Sequence, residues 1–452
     1  MTRFSPFLTS TAIGLCVISQ SAMADVTPAD VWQDWRDYML GLGYSMTATE
    51  NRSGDTLAIS DLQLDLSAGS EDGEVRMTID ALNLVQNDDG TVSVVMPDVM
   101  PLVLEVTPAS PEAESLRMAL TLTQTGQNMT ISGTPTDMSN DYVAGLVNVT
   151  LDQVTVDDQT YDADNAKFEM LMTDVKAQSE TTIGQMRDYS QNGTISSVTY
   201  NIRFKNPDEP AIATIGGTSS EISYTGDGQM PLGLTQVTDM SSMLRAGWDA
   251  AAKINGGAST LTVDVEDPTN GNMAAAFATE SSALTIETNA QGVTYAGTRE
   301  GTTLSVQPPE LPFPLSATME NAAFNLSAPV LQSDTPQDFA LGLNLNELVF
   351  SDMIWGMFDP QGNLPRDPAN IALDVTGEAT LMTDFMDPAA TQDMAAMSEL
   401  PGLLNSVELN ALIIDALGAR LTGNGSAEFD NSDPEAPMQP AGAVDLKLEG
   451  GN

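Results

Sequence analysis

Apolar residues recur at every second position along most of the chain. Leu116, Met118, Leu120 and Leu122 alternate with Arg117, Ala119, Thr121 and Thr123, and Val198, Tyr200, Ile202 and Phe204 alternate with Thr199, Asn201, Arg203 and Lys205. A period of two sends successive side chains to opposite faces, so each stretch predicts a strand with one apolar and one wet face. The same alternation marks residues 57–66, 75–85, 147–156, 261–265, 284–287, 339–345, 371–375, 407–412 and 444–448. Turn residues stand between them: Asn87-Asp88-Asp89-Gly90, Asn192-Gly193, Thr269-Asn270-Gly271 and Gln291-Gly292. In residues 57–66 the apolar positions move from odd (Leu57, Ile59) to even (Leu62, Leu64, Leu66), which predicts a bulge near Ser60 or Asp61.

Helical spacing is rarer. Thr27 as N-cap, Pro28 at the first helical position and Asp30 in the first turn open a helix whose Val31, Trp32, Trp35, Tyr38, Met39 and Leu42 make one apolar face. A second helix is expected over residues 238–254 and a third after Asp387-Pro388, using Met394, Met397 and Leu400, with a short turn at 351–358. Trp32, Trp35 and Trp248 are expected to clamp the first two helices onto a sheet. The Pro-rich runs at 307–314 and 434–440 read as connections. The helices divide the chain into two comparable parts, 25–234 and 235–452, each a helix followed by strands. An open sheet rarely exceeds about 10 strands without curling, and the chain holds about twice that many. The expected fold is therefore mainly β with minor α: long curled antiparallel sheets forming two groove-, barrel- or sandwich-like halves, with two or three amphipathic helices packed on them.

The first residues bear on the compartment. Arg3, the apolar stretch 7–18 and Ala22-Met23-Ala24 have the form of a secretory signal peptide over residues 1–24, cleaved between Ala24 and Asp25. A periplasmic location is expected, with secretion as the alternative. Cys16, the one cysteine, leaves with that segment, and the sequence has no histidine. Ser-His-Asp and Cys-His nucleophile systems, imidazole ligation, cysteine-based zinc or iron–sulfur sites and internal disulfides are thereby excluded from the mature chain. No later segment reaches transmembrane length. With 16 Lys plus Arg against 63 Asp plus Glu, the net charge is −47, and no basic run tracks phosphates, so nucleic acid is not an expected partner.

The stretch from Glu310 to Leu381, opening ELPFPLSATMENAAFNLSAP and continuing through ELVFSDMIWGMFDPQGNLPRDPANIALDVTGEATL, resembles the bacterial family known as domain of unknown function 2125. The opening VTPADVWQDWRDYMLGLGY and the segment LGARLTGNGSAEFDNSDPEAPMQPAGAVDLKLEGGN are similar to it as well. The resemblance implies an exported envelope protein of alphaproteobacterial type and carries over no functional residue. It also implies a natural chain that continues past Asn452. In organisation, paired runs of amphipathic antiparallel strands look like the AsmA-like β-groove proteins implicated in handling lipids, a likeness of fold alone.

Candidate chemistry is thin. Asp157, Asp158, Asp162 and Asp164, and later Asp430, Asp433 and Glu435, gather hard oxygen ligands in expected loops and are calcium candidates, but neither group has the D-x-[DN]-x-[DN]-G pattern. Acidic turns are ordinary in so acidic a chain, and no metal or other cofactor is expected. Two carboxylates suffice for a glycosidase, and among so many acids some pair always meets that spacing. Of the 25 methionines, all but Met1 and Met23 lie in the mature chain. Thioether side chains suit adaptable apolar surfaces, and they also fill cores poor in aromatics. The leading expectation is an exported noncatalytic protein that binds a lipid-like or other apolar ligand, or an envelope protein, along a β-sheet groove. The alternatives are a structural or adhesive acidic β-protein, calcium-stiffened, and then a carboxylate-only hydrolase.

Overall fold

A single antiparallel ladder takes up almost the whole chain. The computed structural model describes residues 25–67, 74–108, 110, 113–157, 159–205, 210–233, 240–387, 402–432 and 439–450. The expected signal peptide and the helix expected after Asp387-Pro388 fall outside them.

The ladder starts with β1 (Tyr44–Ser53), β2 (Thr56–Ser67) and β3 (Glu74–Gln86). β4 (Val92–Val95) and β5 (Val99–Thr107) lie end to end along β3, β6 (Leu116–Thr125) and β7 (Asn128–Thr134) lie end to end beyond them, and β8 (Asp137–Val156) spans both. β9 (Gln159–Tyr161) and β10 (Ala166–Ile183) share the next place, followed by β11 (Met186–Lys205) and β12 (Ile212–Pro231). Split strands return with β13 (Asp249–Gly256) and β14 (Ser259–Glu266), then β15 (Met273–Thr279) and β16 (Ser281–Asn289). Single strands complete the sheet: β17 (Gly292–Gln307), β18 (Leu315–Ala328), β19 (Gln337–Phe350), β20 (Ala369–Leu381), β21 (Gly402–Ala416), β22 (Ala419–Phe429) and β23 (Pro440–Gly450). With end-to-end strands counted as one, every place in the sheet neighbours the one before and the one after it in sequence. Among the described residues β1 pairs with β2 alone and β23 with β22 alone, so both are edges. The ladder of β12 with β13 and β14 joins the two parts that the helices mark off in the sequence.

Cross-strand partners lie on one face, and the register brings like to like. Leu326 faces Leu341, Leu341 faces Val375, and Val375 faces Leu409. Midway along the strands the parity changes: Met170 and Met172 give way to Val175 and Ala177, and Ile195 to Val198 and Tyr200. At this line the backbone turns left-handed, at Asp61 (φ 53°), Asp174 (48°), Glu221 (52°), Gly301 (60°) and Glu347 (54°). A residue in that conformation resets the alternation and bends the strand, so the apolar set stays on one face across the kink. The bulge expected near Ser60 or Asp61 belongs to this line, with the β1–β2 register shifting between Thr47 and Thr49.

Aromatic rings on the apolar face lie over glycines of the neighbouring strand: Tyr224 over Gly193, Tyr200 over Gly217, Tyr189 over Gly228, Phe324 over Gly297 and Phe339 over Gly377. Asn192-Gly193 is therefore not the turn its composition predicts but the interior of β11, where the ring of Tyr224 uses the missing Cβ. A Cβ at Gly217 would meet the Tyr200 ring and stand 2.5 Å from the Thr260 carbonyl oxygen. Gly217→Val is expected to cost about 1–3 kcal/mol by overpacking, read from the urea midpoint. An unchanged midpoint would show that the ring does not rest there.

Among the described residues three helices accompany the sheet. α1 (Pro28–Gly41) has its predicted start, with the Asp30 amide donating to Thr27 Oγ1 at 3.3 Å and the Thr27 amide donating to Asp30 Oδ2 at 3.0 Å. Its Val31 and Trp32 are buried against Leu57, Ile59, Leu82, Leu84, Val92 and Ile131 on the apolar face of the first strands, and Trp35 packs at the margin. The helix expected over 238–254 is instead α2 (Met240–Arg245), a left-handed Gly247 (φ 97°), and strand β13. Ala250, Ala252 and Ile254 alternate as well as they fit a helix, and the open edges of β12 and β16 offer them ladder hydrogen bonds on both sides. Trp248 thus lies between helix and strand, packed on the cluster of Leu244, Val330 and Leu331. α3 (Asp352–Phe358) is the turn expected at 351–358 and buries Trp355.

Candidate functional site

The apolar face is covered at its N-terminal end by α1 and is open over the later strands. Ile254, Leu304, Phe324, Leu341, Leu343 and Leu446 all stand on it with 39–62% of their surface in water. With their partly exposed neighbours they make a run of exposed apolar side chains along one face, the kind of surface that marks an interaction site rather than singly scattered surface residues.

Charge is sorted between the faces. Following the register from β2 to β23, no Asp or Glu of a described strand stands on the apolar face, apart from the residues at the kink line. The acids occupy the other face, as Glu169, Asp188, Asp227, Glu287, Asp374 and Glu408 do. Each is solvated there, whereas one on the apolar face would lose water without gaining a partner.

Two adjacent cavities hollow this face. One, of about 520 Å³, is lined by Tyr200, Leu261, Val263, Phe277, Arg299 and Leu304 among others. The second, of about 500 Å³, is lined by Ile254, Leu284, Gly297, Arg299, Phe324 and Leu343 among others. They lie on opposite sides of the kink line and share Arg299. Its guanidinium carbon sits 5.1 Å above the Phe277 ring, and no carboxylate among the described residues pairs with it. Its cross-strand partners are Ser282 and Ala322, and Glu300, next to it in sequence, is on the opposite face, where it accepts from the Ser281 hydroxyl at 3.0 Å. Sequence reasoning missed Arg299, although a signal existed: it holds the next place in the Val293, Tyr295, Gly297 alternation, where an apolar residue is due.

Beside the apolar cluster beneath α1 the face also carries polar groups. Arg187 and Asp34 form a buried ion pair, Nη1 donating to Oδ1 at 2.8 Å with Nη2 on the same oxygen, and the guanidinium lies 5.0 Å from the centre of the Tyr38 ring. Burial pushes the Asp34 carboxyl above its usual range, outweighing the pull of Arg187. The Tyr189 phenol nearby is pushed up to about 12, chiefly by burial, and stays protonated.

The acidic turn singled out in the sequence forms no joint site. Asp157 Oδ1 accepts from the Ser115 amide and hydroxyl, and Asp162 Oδ1 accepts from the Asp164 amide and the Asn165 side chain. These are turn hydrogen bonds, and no group of three acidic side chains among the described residues is placed to hold a metal ion. Asp158, Asp433 and Glu435 lie outside the described residues, as does Ala24, while Asp25 begins them. The two cavities hold no carboxylate pair for acid–base work. Among the described residues no helix is long and apolar enough to cross a membrane.

No protein-family profile matches the chain, and no curated protein matches it. Among solved structures, the ferric citrate transporter FecA in its unliganded form aligns with 90% of this chain and 69% of its own, at 11% identity and a TM-score of 0.16. A score of that size is below what a shared fold requires.

Proposed function

We propose that the protein is an exported, noncatalytic binding protein that holds acyl chains of a lipid along its apolar face. The observation that carries this reading is the continuous face itself, open to water over the later strands and, from β2 to β23, without carboxylates away from the kink line, on a chain of net charge −47. Its backbone groups are committed to the ladder and its side chains are mostly Leu, Ile, Phe, Ala and Gly, so away from Arg299 the greater part of an occupant must do without hydrogen bonds from the face. Acyl chains meet that condition, and an extended polypeptide, with its own amides to satisfy, does not. Export rests on the signal-like residues 1–24, and placement in the bacterial envelope on the family resemblance.

Native mass spectrometry of protein purified from its own envelope, followed by solvent extraction, tests this. A copurifying lipid is expected, and it should be lost in Leu343→Asp, which puts a charge at a site already 39% exposed and so spares the fold. A bare wild-type mass that moves only when calcium is added would replace the reading with the structural one.

A further inference from the structure

Arg299 is the feature the apolar face does not need for folding. The described strands place only two other cations on that face: Arg187, which is buried against Asp34, and Arg52, at the β1 edge near Arg36 and Glu50. Arg299 alone stands where the face is open, exposed, stacked on Phe277 and bounded by two apolar cavities. In a chain with nearly four acids for each base, a guanidinium without a carboxylate partner is conspicuous, since acids of the same strands are held on the other side of the sheet. A guanidinium offers a planar fork of donors matched to phosphate oxygens, and a ring behind it fixes its plane. The cavities diverge from it, one toward β14 and β15 on one side of the kink, the other toward β18 and β19 on the opposite side. Each has a volume in the range of small-molecule sites.

We infer that Arg299 is the headgroup anchor for an anionic phospholipid with two acyl chains, its phosphate held by the guanidinium and one chain laid into each cavity. This rests on the lipid-binding reading above and adds which lipid is taken and by which residue. Phosphate-headed lipid is favoured over a fatty acid because one cation serves two cavities, and over a neutral glyceride because the cation would otherwise be left unpaired beside bound hydrocarbon.

The test is titration of the delipidated full chain with phosphatidylglycerol, diacylglycerol and palmitate, read by native mass spectrometry. Wild type is expected to bind phosphatidylglycerol at least about tenfold more tightly than diacylglycerol, the yield of a charge-assisted hydrogen bond to phosphate. Arg299→Gln should lose that preference, phosphatidylglycerol binding weakening while diacylglycerol binds at least as tightly as to wild type because no cation is left unpaired, and an unchanged urea midpoint certifies the fold. Arg299→Lys, with charge but no fork, should keep only part of the preference. Equal preference in wild type and Arg299→Gln would overturn the anchor while leaving the groove reading intact. Palmitate bound as tightly as phosphatidylglycerol would overturn the two-chain assignment. Wild type that binds none of the three would overturn both readings.

Discussion

Arg187→Met is expected to lower the stability of the protein by about 3–5 kcal/mol at neutral pH, because it removes one partner of a buried ion pair and strands the other. Asp34 has 11% of its side chain exposed and Arg187 5%, so water cannot replace the lost guanidinium without prising α1 from the sheet. The double variant Asp34→Leu/Arg187→Met should recover most of the loss, since an apolar pair of similar volume carries no desolvation penalty. The pH dependence has a definite sign. A carboxyl whose folded pKa is raised supports the fold while it is protonated, fully below its unfolded pKa, and that support is lost as pH rises through the raised folded value. Without Arg187 the rise is larger. The deficit of Arg187→Met should therefore be complete at neutral pH and shrink as pH falls through the folded pKa of Asp34, as urea unfolding followed by tryptophan fluorescence would show. A deficit independent of pH would mean that Asp34 is already solvated in the variant.

Most of the sheet was legible because its signal is local. A period of two in Leu116 to Leu122 or Val198 to Phe204 is written into adjacent residues, and even the parity break at Asp61 shows as a slip in that period. The start of α1 was legible for the same reason: Thr27, Pro28 and Asp30 are within one turn. What failed depended on neighbours far along the chain. Residues 249–256 fit a helix until the edges of β12 and β16 claim them, and Asn192-Gly193 reads as a turn until Tyr224 covers the glycine. The candidate site was legible as a face and not as residues. That apolar positions line up on one side follows from alternation, but the pairing of Asp34 with Arg187 spans 153 positions, and the isolation of Arg299 follows only from the register of β16, β17 and β18. Carboxylate number, the loudest feature of the composition, marked no site because acids are placed to be solvated.

The second large effect belongs to the other bond between α1 and the sheet. Trp32, 2% exposed, fills the cluster of Leu57, Ile59, Leu82 and Leu84, and its indole N–H donates to Glu50 Oε1 at 2.7 Å, where Arg36 donates at 2.9 Å. Trp32→Ala is expected to cost about 3–5 kcal/mol, mostly as lost packing and the cavity left behind. Trp32 and Arg187 touch different strands yet hold the same helix, so the two losses should not add. If α1 docks as one unit, the first substitution consumes most of the docking free energy and the second removes contacts already broken. The deficit of Trp32→Ala/Arg187→Met should fall short of the sum of the single deficits by about 1–3 kcal/mol, the range in which coupled neighbours depart from additivity. Losses that add to within about 0.5 kcal/mol would show instead that the two contacts act independently. Undocking has a second consequence, because the strands under α1 carry the same apolar face that is bare over β17 to β23. Each variant should then bind more of an apolar fluorescent dye than wild type, in proportion to its loss of stability, since what α1 covers is the end of the groove.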